Sequence, residues 1–525
     1  MTDFADWTLQ DATDALGKLE AGVLASSRFY DGDHWQGGDA WIGPRPATGE
    51  IGAEAVRLEI QRALVSKNAV REVVTRHQGA LLGHEPDWDL TLARGLADGE
   101  QPTPEEQALI DEAGAALTTW WDARGVHSSL RTAVARVLWA GRSCLRLYVP
   151  SGLLDEQGRV PLGTLTESLD RLFLDDPLPA QADVVRDSAT HRQAGIYLYR
   201  EGVTDYAELV SVDVTNGETV LRIVGNTAES EQRAPLPLGG RLTIFALRRD
   251  PIITPQVRQQ QMLLNLAKTM LGRNVVMGGF LERIILNAQL PGTITEDATT
   301  KKKTFVPDPL RLGAGTTNIL AGLPITDEAG RVTGYATPSI VYRDPVPVTR
   351  FEDTARSAYL GILEETQQLY AAIAGDATAS GESRAQARAD FTLSLGDTLA
   401  QVEQAGRWLI ETALAMAAAF SGVPGRYDGL RATFACRVDT GPITADEQDQ
   451  TRQNVAAGLL AEETGMARIG VQDVDAEKTK IAAQRETAQQ ARQTNATAIL
   501  GRAGLLAQQV QQGNGGGNGG TNGAA

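Results

Sequence analysis

Ala374-Gly375-Asp376-Ala377-Thr378-Ala379-Ser380-Gly381-Glu382-Ser383-Arg384-Ala385-Gln386 joins two long helical patterns, and the fold turns on how that junction is read. The first pattern opens at Thr349-Arg-Phe-Glu352 and the second at Ser383-Arg-Ala-Gln386. Both match the capping box, in which the first side chain accepts a backbone N–H bond and the fourth reaches back to the cap. In the second helix Phe391, Leu395, Leu399, Val402, Leu409, Ala413 and Phe420 recur at helical spacing and form one apolar stripe. That stripe reads as packing, within the chain or between subunits. Small residues on one flank (Ala405, Gly406, Ala413, Ala417) allow close backbone approach. A Gly- and Ala-rich polar break between two capped helices reads either as a plain linker or as a mobile functional loop. No catalytic motif lies near it.

Working outward, Thr254-Pro255 predicts a helix start, with Thr as N-cap and Pro at the first helical position, running to about Leu271-Gly272. Residues 273–345 hold short strands, Pro, Gly and the run Lys301-Lys302-Lys303, which predicts a small β module inserted between helices. The lysines read as a solvated loop or as a contact for phosphate or an acidic partner. Upstream, helices are predicted over 8–30, 67–82 and 104–140, with Gly141 ahead of a strand from Cys144 to Val149. From 180 to 250 the period shortens towards two, as in Ile196-Tyr197-Leu198-Tyr199, and predicts an antiparallel sheet. Downstream come a strand at 430–438, a capping box at Thr444-Ala-Asp-Glu447 and a helix broken at Gly465 and Gly470. A last polar helix from Asp475 towards Gln511 follows, then a Gly/Asn-rich tail over 512–525 with nothing apolar to bury. The expected class is α+β, predominantly α-helical.

The 525 residues suggest three or four domains and a core sustained without disulfides or metals. Cys144 and Cys436 sit far apart in apolar runs and read as buried free thiols of a reducing compartment. The start, Met1-Thr2-Asp3-Phe4-Ala5-Asp6, lacks the basic and apolar regions of a signal peptide. The longest apolar run, Leu409 to Phe420, is too short for a membrane span and carries Glu411, so no membrane association is expected. The net charge of −17 argues against tight nucleic-acid binding, although a channel that lets DNA slide is poorly served by many phosphate contacts.

Phosphate-loop, HExxH and GxSxG motifs are absent from the sequence, and no catalytic, cofactor-binding or metal residue is assigned. Asp31, Asp33 and His34 are the one cluster of metal-ligand types. A turn capping the first helix is the plain reading, and a cytosolic metal-dependent hydrolase the sharp one.

In serial order, several stretches resemble the portal proteins of long-tailed bacteriophages, of the SPP1-like type. They are Phe29-Tyr30-Asp31-Gly32-Asp33-His34-Trp35, then Asn68 to Val74 leading into Leu81-Leu82-Gly83-His84-Glu85-Pro86. Next come Ser380 to Ala387, then Ala457-Gly458-Leu459-Leu460 with Asp473-Val474-Asp475 and Glu477. The resemblance covers most of the chain, with no matching motif over 273–345. It implies a wing over 1–253, stem helices at 254–272 and 346–373, and a clip over 273–345. It also implies a tunnel loop over 374–382, a long tunnel helix and returning wing strand over 383–441, and crown helices over 442–511. Gly375, Asp376, Ala377, Thr378, Ala379, Ser380, Gly381, Glu382 and Arg384 would then face DNA, and Lys301, Lys302 and Lys303 would meet the motor or adaptor. The implied molecule is a ring, of twelve subunits in the family, at one capsid vertex of the virion and in host cytoplasm during assembly. Its implied partners are itself, the large terminase, head-completion or adaptor proteins, major capsid and scaffolding proteins, and double-stranded DNA passing non-specifically. Another head–tail connector component is the nearest alternative.

Overall fold

A computed structural model describes residues 4–34, 64–96, 100–155, 160–187, 191–213, 217–226, 232–279, 283–289, 292–296, 303–307, 321–342, 347–373, 381–439, 445–469, 471, 474 and 477–485. The fold is mixed α/β, and two compact units divide at Thr440.

The first unit opens with α1 (Leu9–Asp31), whose N-cap Thr8 forms a capping box with Asp11. Helix α2 (Ala69–Leu82) follows, capped by Asn68, and then strand β1 (Asp87–Leu92). The segment expected as one helix over 104–140 is two, α3 (Pro104–Arg124) and α4 (Val126–Ala140), because Gly125 takes the left-handed conformation between them. Strand β2 (Arg142–Tyr148) is the centre of a three-stranded sheet with β3 (Phe173–Asp175) and β9 (Ile244–Arg248), and the short α5 (Leu165–Asp170) precedes β3.

Between them β4 (Ala182–Arg186), β5 (Gln193–Glu201), β6 (Thr204–Val212), β7 (Thr219–Gly225) and β8 (Gln232–Leu236) make an antiparallel meander. The two sheets share a small core of Cys144, Ala182, Val210 and Ile244. A bidentate Arg146–Glu208 pair, both members buried, ties β2 to β6, with the guanidinium between the rings of Tyr148 and Tyr197.

Helix α6 (Pro255–Gly279) is capped by Thr254 as expected, but it continues past Gly272 to Gly279. Helix α7 (Val348–Glu365) packs along it. Gly361 near the end of α7 lies against Gln260 near the start of α6, so the pair runs antiparallel. Between the two helices come four two-stranded antiparallel ladders. They pair β10 (Arg283–Leu286) with β17 (Ser339–Tyr342), β11 (Ala288–Gln289) with β14 (Ala321–Gly322), β12 (Gly292–Glu296) with β13 (Lys303–Pro307), and β15 (Pro324–Thr326) with β16 (Val332–Tyr335).

The capping box expected at Thr349 is not formed. Pro347 precedes the helix, and Thr349 already lies inside its first turn. The helix expected to reach 373 stops at Glu365, where Gln367 adopts φ +56°. A five-residue helix, α8 (Leu369–Ile373), completes the segment. The long helix α9 spans Gly381–Phe420, so Ser383 sits within its first turn instead of capping it. Strand β18 (Leu430–Ala435) then returns across α9 to pair antiparallel with β1.

One main core runs through α2, α3, α4, β1, β2, α6, α7, α9 and β18. In the second unit, α10 (Ala445–Ala456) ends before Gly458, which has φ +70°. Gly465, expected as a breaker, lies inside α11 (Glu462–Arg468). A Cβ there would meet Val455 Cγ2 at 2.5 Å, so this glycine serves helix–helix approach. The capping box at Thr444 and the start of the last helix at Asp475 lie outside the described residues, as does the tail over 512–525.

Candidate functional site

The junction between α8 and α9 is built from its two anchored ends. Thr366 closes α7 by donating its N–H and hydroxyl to the Ile362 carbonyl. The left-handed Gln367 then turns the chain so that the Gln368 side chain is fully buried. Its Nε2 donates to the Val73 carbonyl of α2 at 2.8 Å and also meets the His77 ring. Tyr370 of α8 packs on Phe391 of α9 with ring centroids 4.7 Å apart, and Phe391 takes the edge of His77 at 4.9 Å. Burial lowers the His77 pKa to about 4, so the ring is neutral at pH 7. The hinge is therefore pinned to α2 by an amide, an imidazole and two aromatic rings.

A cleft of about 830 Å³ opens beside these anchors, lined by Glu364 and Leu369 from one arm and Gln386, Asp390 and Leu393 from the other. Leu393 is 79% exposed. Among the described residues the lining carries two carboxylates and no lysine or arginine. Asp390 accepts from Gln386 Nε2 at 2.9 Å.

Gly375, Asp376, Ala377, Thr378, Ala379 and Ser380 lie outside the described residues. Gly381, Glu382 and Arg384 open α9, with side chains outside the described set. Lys301 and Lys302 are outside it as well, and Lys303 begins β13 opposite Glu296. Phe391, Leu395, Val402 and Leu409 are fully buried, while Leu399 and Phe420 are half-buried against the same core. The small flank of α9 is also used inside the chain, since Ala405, Ala413 and Ala417 are fully buried.

Asp31, Asp33 and His34 do not converge on a cation. Asp31 ends α1, and His34 turns inward to 3% exposure. Its Nε2–H donates to the Phe29 carbonyl at 2.9 Å, while Nδ1 faces Ser66 Oγ at 2.9 Å and accepts from Asn265 Nδ2 at 2.8 Å. Burial lowers its pKa against the opposing pull of the Phe29 carbonyl and Asp33. Both ring nitrogens are committed, which leaves no lone pair for a metal. Among the described residues no group of three or more His, Cys, Asp or Glu is placed to hold one.

His34 belongs to a buried polar ladder that sequence reasoning missed. Gln261, Asn265 and Thr269 of α6 are each fully buried. Gln261 Oε1 accepts from the N–H groups of Ala69 and Val70, Asn265 Oδ1 from that of Lys67, and Thr269 Oγ1 from that of Val65. These bonds satisfy the strap ahead of α2 and the helix's first N–H groups, which have no partner within the helix. The available signal was three polar residues at steps of four on an otherwise apolar helix face.

Both thiols are held unreactive. Burial pushes the Cys144 thiol far above its ordinary range, and burial with Glu403 and Asp87 pushes the half-buried Cys436 up to about 12. No protein-family model matches the sequence, and no curated protein matches it significantly.

Proposed function

We propose that this chain is a bacteriophage portal protein. It is a non-enzymatic subunit of a ring, twelve-membered by the family resemblance, at one capsid vertex, through which DNA is packaged and ejected. The observation that carries the reading is the insert on the antiparallel pair α6 and α7. Among the described residues, none between Thr269 and Ala355 is buried. Val306, Leu323, Ile325, Val332, Tyr335 and Val341 are all between 45% and 69% exposed. Two-stranded ladders are marginal alone, and apolar side chains left open on them call for a partner. A module whose described side chains are all exposed or half-buried, carried on a two-helix stalk, suits a clip completed by neighbouring subunits and offered to the terminase and then to head-completion proteins.

The hinge adds a second support. A junction anchored at its base beside a cleft whose described lining is acidic suits contact with a duplex without trapping it. The serial order of the sequence motifs adds a third. Nothing favours the hydrolase reading, because the His34 nitrogens are occupied. Electron microscopy of the purified full chain tests the proposal directly. Axially perforated rings are expected, and solitary compact particles at micromolar concentration would overturn it.

A further inference from the structure

We propose that the cleft between α1, the β2–β9 edge and the N-terminus of α6 is a binding site for a phosphate group. The cleft holds about 1300 Å³, and Arg142, Arg248, Arg249 and Arg258 line it.

Arg142 supplies charge from beneath the floor of the cleft. Its side chain is 8% exposed, and one of its nitrogens, Nη1, lies 3.4 Å from Asp183 Oδ2. Its Nε and Nη2 are buried with no hydrogen-bond partner. Leaving charged donors unpaired in the interior is costly. Asp183 is shared, because its Oδ1 also lies 2.6 Å from Arg248 Nη2, so one carboxylate serves two guanidiniums.

Arg249 donates to Thr398 Oγ1 at 2.6 Å and to the Asp250 carbonyl at 3.0 Å, with the Asp397 and Asp250 carboxylates near enough to act on its charge. The Arg258 guanidinium, half-buried at the rim, makes no ion pair among the described residues. Asp183, Asp250 and Asp397 also line the space, so among the described residues three carboxylates face four guanidiniums. The positive end of α6 adds to the imbalance, with Thr254 capping it through the Val257 N–H. Planar forks arriving from separate elements suit an oxyanion with several acceptor oxygens. Arg248, Arg249 and Arg258 would touch that oxyanion, and the charge of Arg142 lies beneath.

The test is calorimetric titration of the full chain with sodium phosphate, against sodium chloride of equal ionic strength, and separately with a short DNA duplex. Saturable phosphate binding is expected, weakened about tenfold or more in Arg258→Ala and in Arg142→Met. The second change spares Asp183, which keeps Arg248. Duplex binding lost in both variants, without a response to free phosphate, supports the same site with nucleic acid as the source. No binding of either probe, or binding unchanged in both variants, would overturn the proposal. Should Arg142→Met fail to fold, Arg258→Ala and Arg258→Glu decide the matter alone.

Discussion

At the scale of single residues, the two buried imidazoles set how the fold responds to acid. His77 is neutral because its surroundings are dry, and its pKa falls from 6.5 to about 4. A group whose folded pKa lies below its unfolded value contributes stability above the unfolded value and loses it as pH falls through the gap. The contribution at His77 is therefore complete above pH 6.5 and gone near pH 4, a loss of about 3 kcal/mol. His34 shifts in the same direction and adds to the trend. Denaturant unfolding between pH 7 and 4 is expected to show this slope, and His77→Gln, which keeps an amide donor and acceptor, is expected to flatten it. An unchanged slope in the variant would place the acid sensitivity elsewhere.

Gly406 makes a second residue-scale case. A Cβ there would sit 2.4 Å from the Phe434 ring of β18. Gly406→Ala is expected to destabilise by about 1–3 kcal/mol as the strand is pushed off the helix. Thermal unfolding measures it, and an unshifted midpoint would mean that the strand yields freely.

Among elements, periodicity was the legible part. The stripe from Phe391 to Leu409 and the cap at Thr254 stand in the structure at the residues the sequence indicated. The misread boundaries share a cause: a capping pattern marks a local preference, and the neighbouring backbone decides whether it is used. Pro347 takes the N-cap position ahead of Thr349, and Gln367 turns left-handed because burying Gln368 against Val73 requires that path. Strand β1 was passed over although Leu90 and Leu92 alternate with exposed Asp89 and Thr91, because its partner β18 lies more than three hundred residues away.

The polar ladder on α6 was illegible for a related reason, since its acceptors serve a strap that sequence alone does not bring near. Asn265 is its hub, taking the Lys67 N–H and donating to His34. Asn265→Ala is expected to cost about 1–3 kcal/mol, because the Lys67 N–H loses its acceptor and His34 Nδ1 one of its two partners. Amide exchange at Lys67 is expected to speed up more than exchange in β6. Uniform acceleration across both would show a global effect and not a local unlocking.

For the molecule as a whole, the core and the proposed working parts separate. The main core unites α2, α3, α4, α6, α7, α9, β1 and β18, whereas the insert contributes nothing buried among its described residues. The apolar side chains exposed on the described strands of that module fit the proposed assembly. The junction over 374–380 is the other place where fold and function can be parted. Its base is held by Gln368, Tyr370, His77 and Phe391, all outside the stretch 375–381. Removing 375–381 therefore spares the anchors, and the portal reading expects rings to form as in the wild type while DNA packaging fails. Micrographs report the first outcome, and nuclease-protected DNA in assembled particles reports the second. Rings with normal packaging would reduce the segment to a linker. Loss of rings would mean that it bears on assembly, against the division of labour argued here.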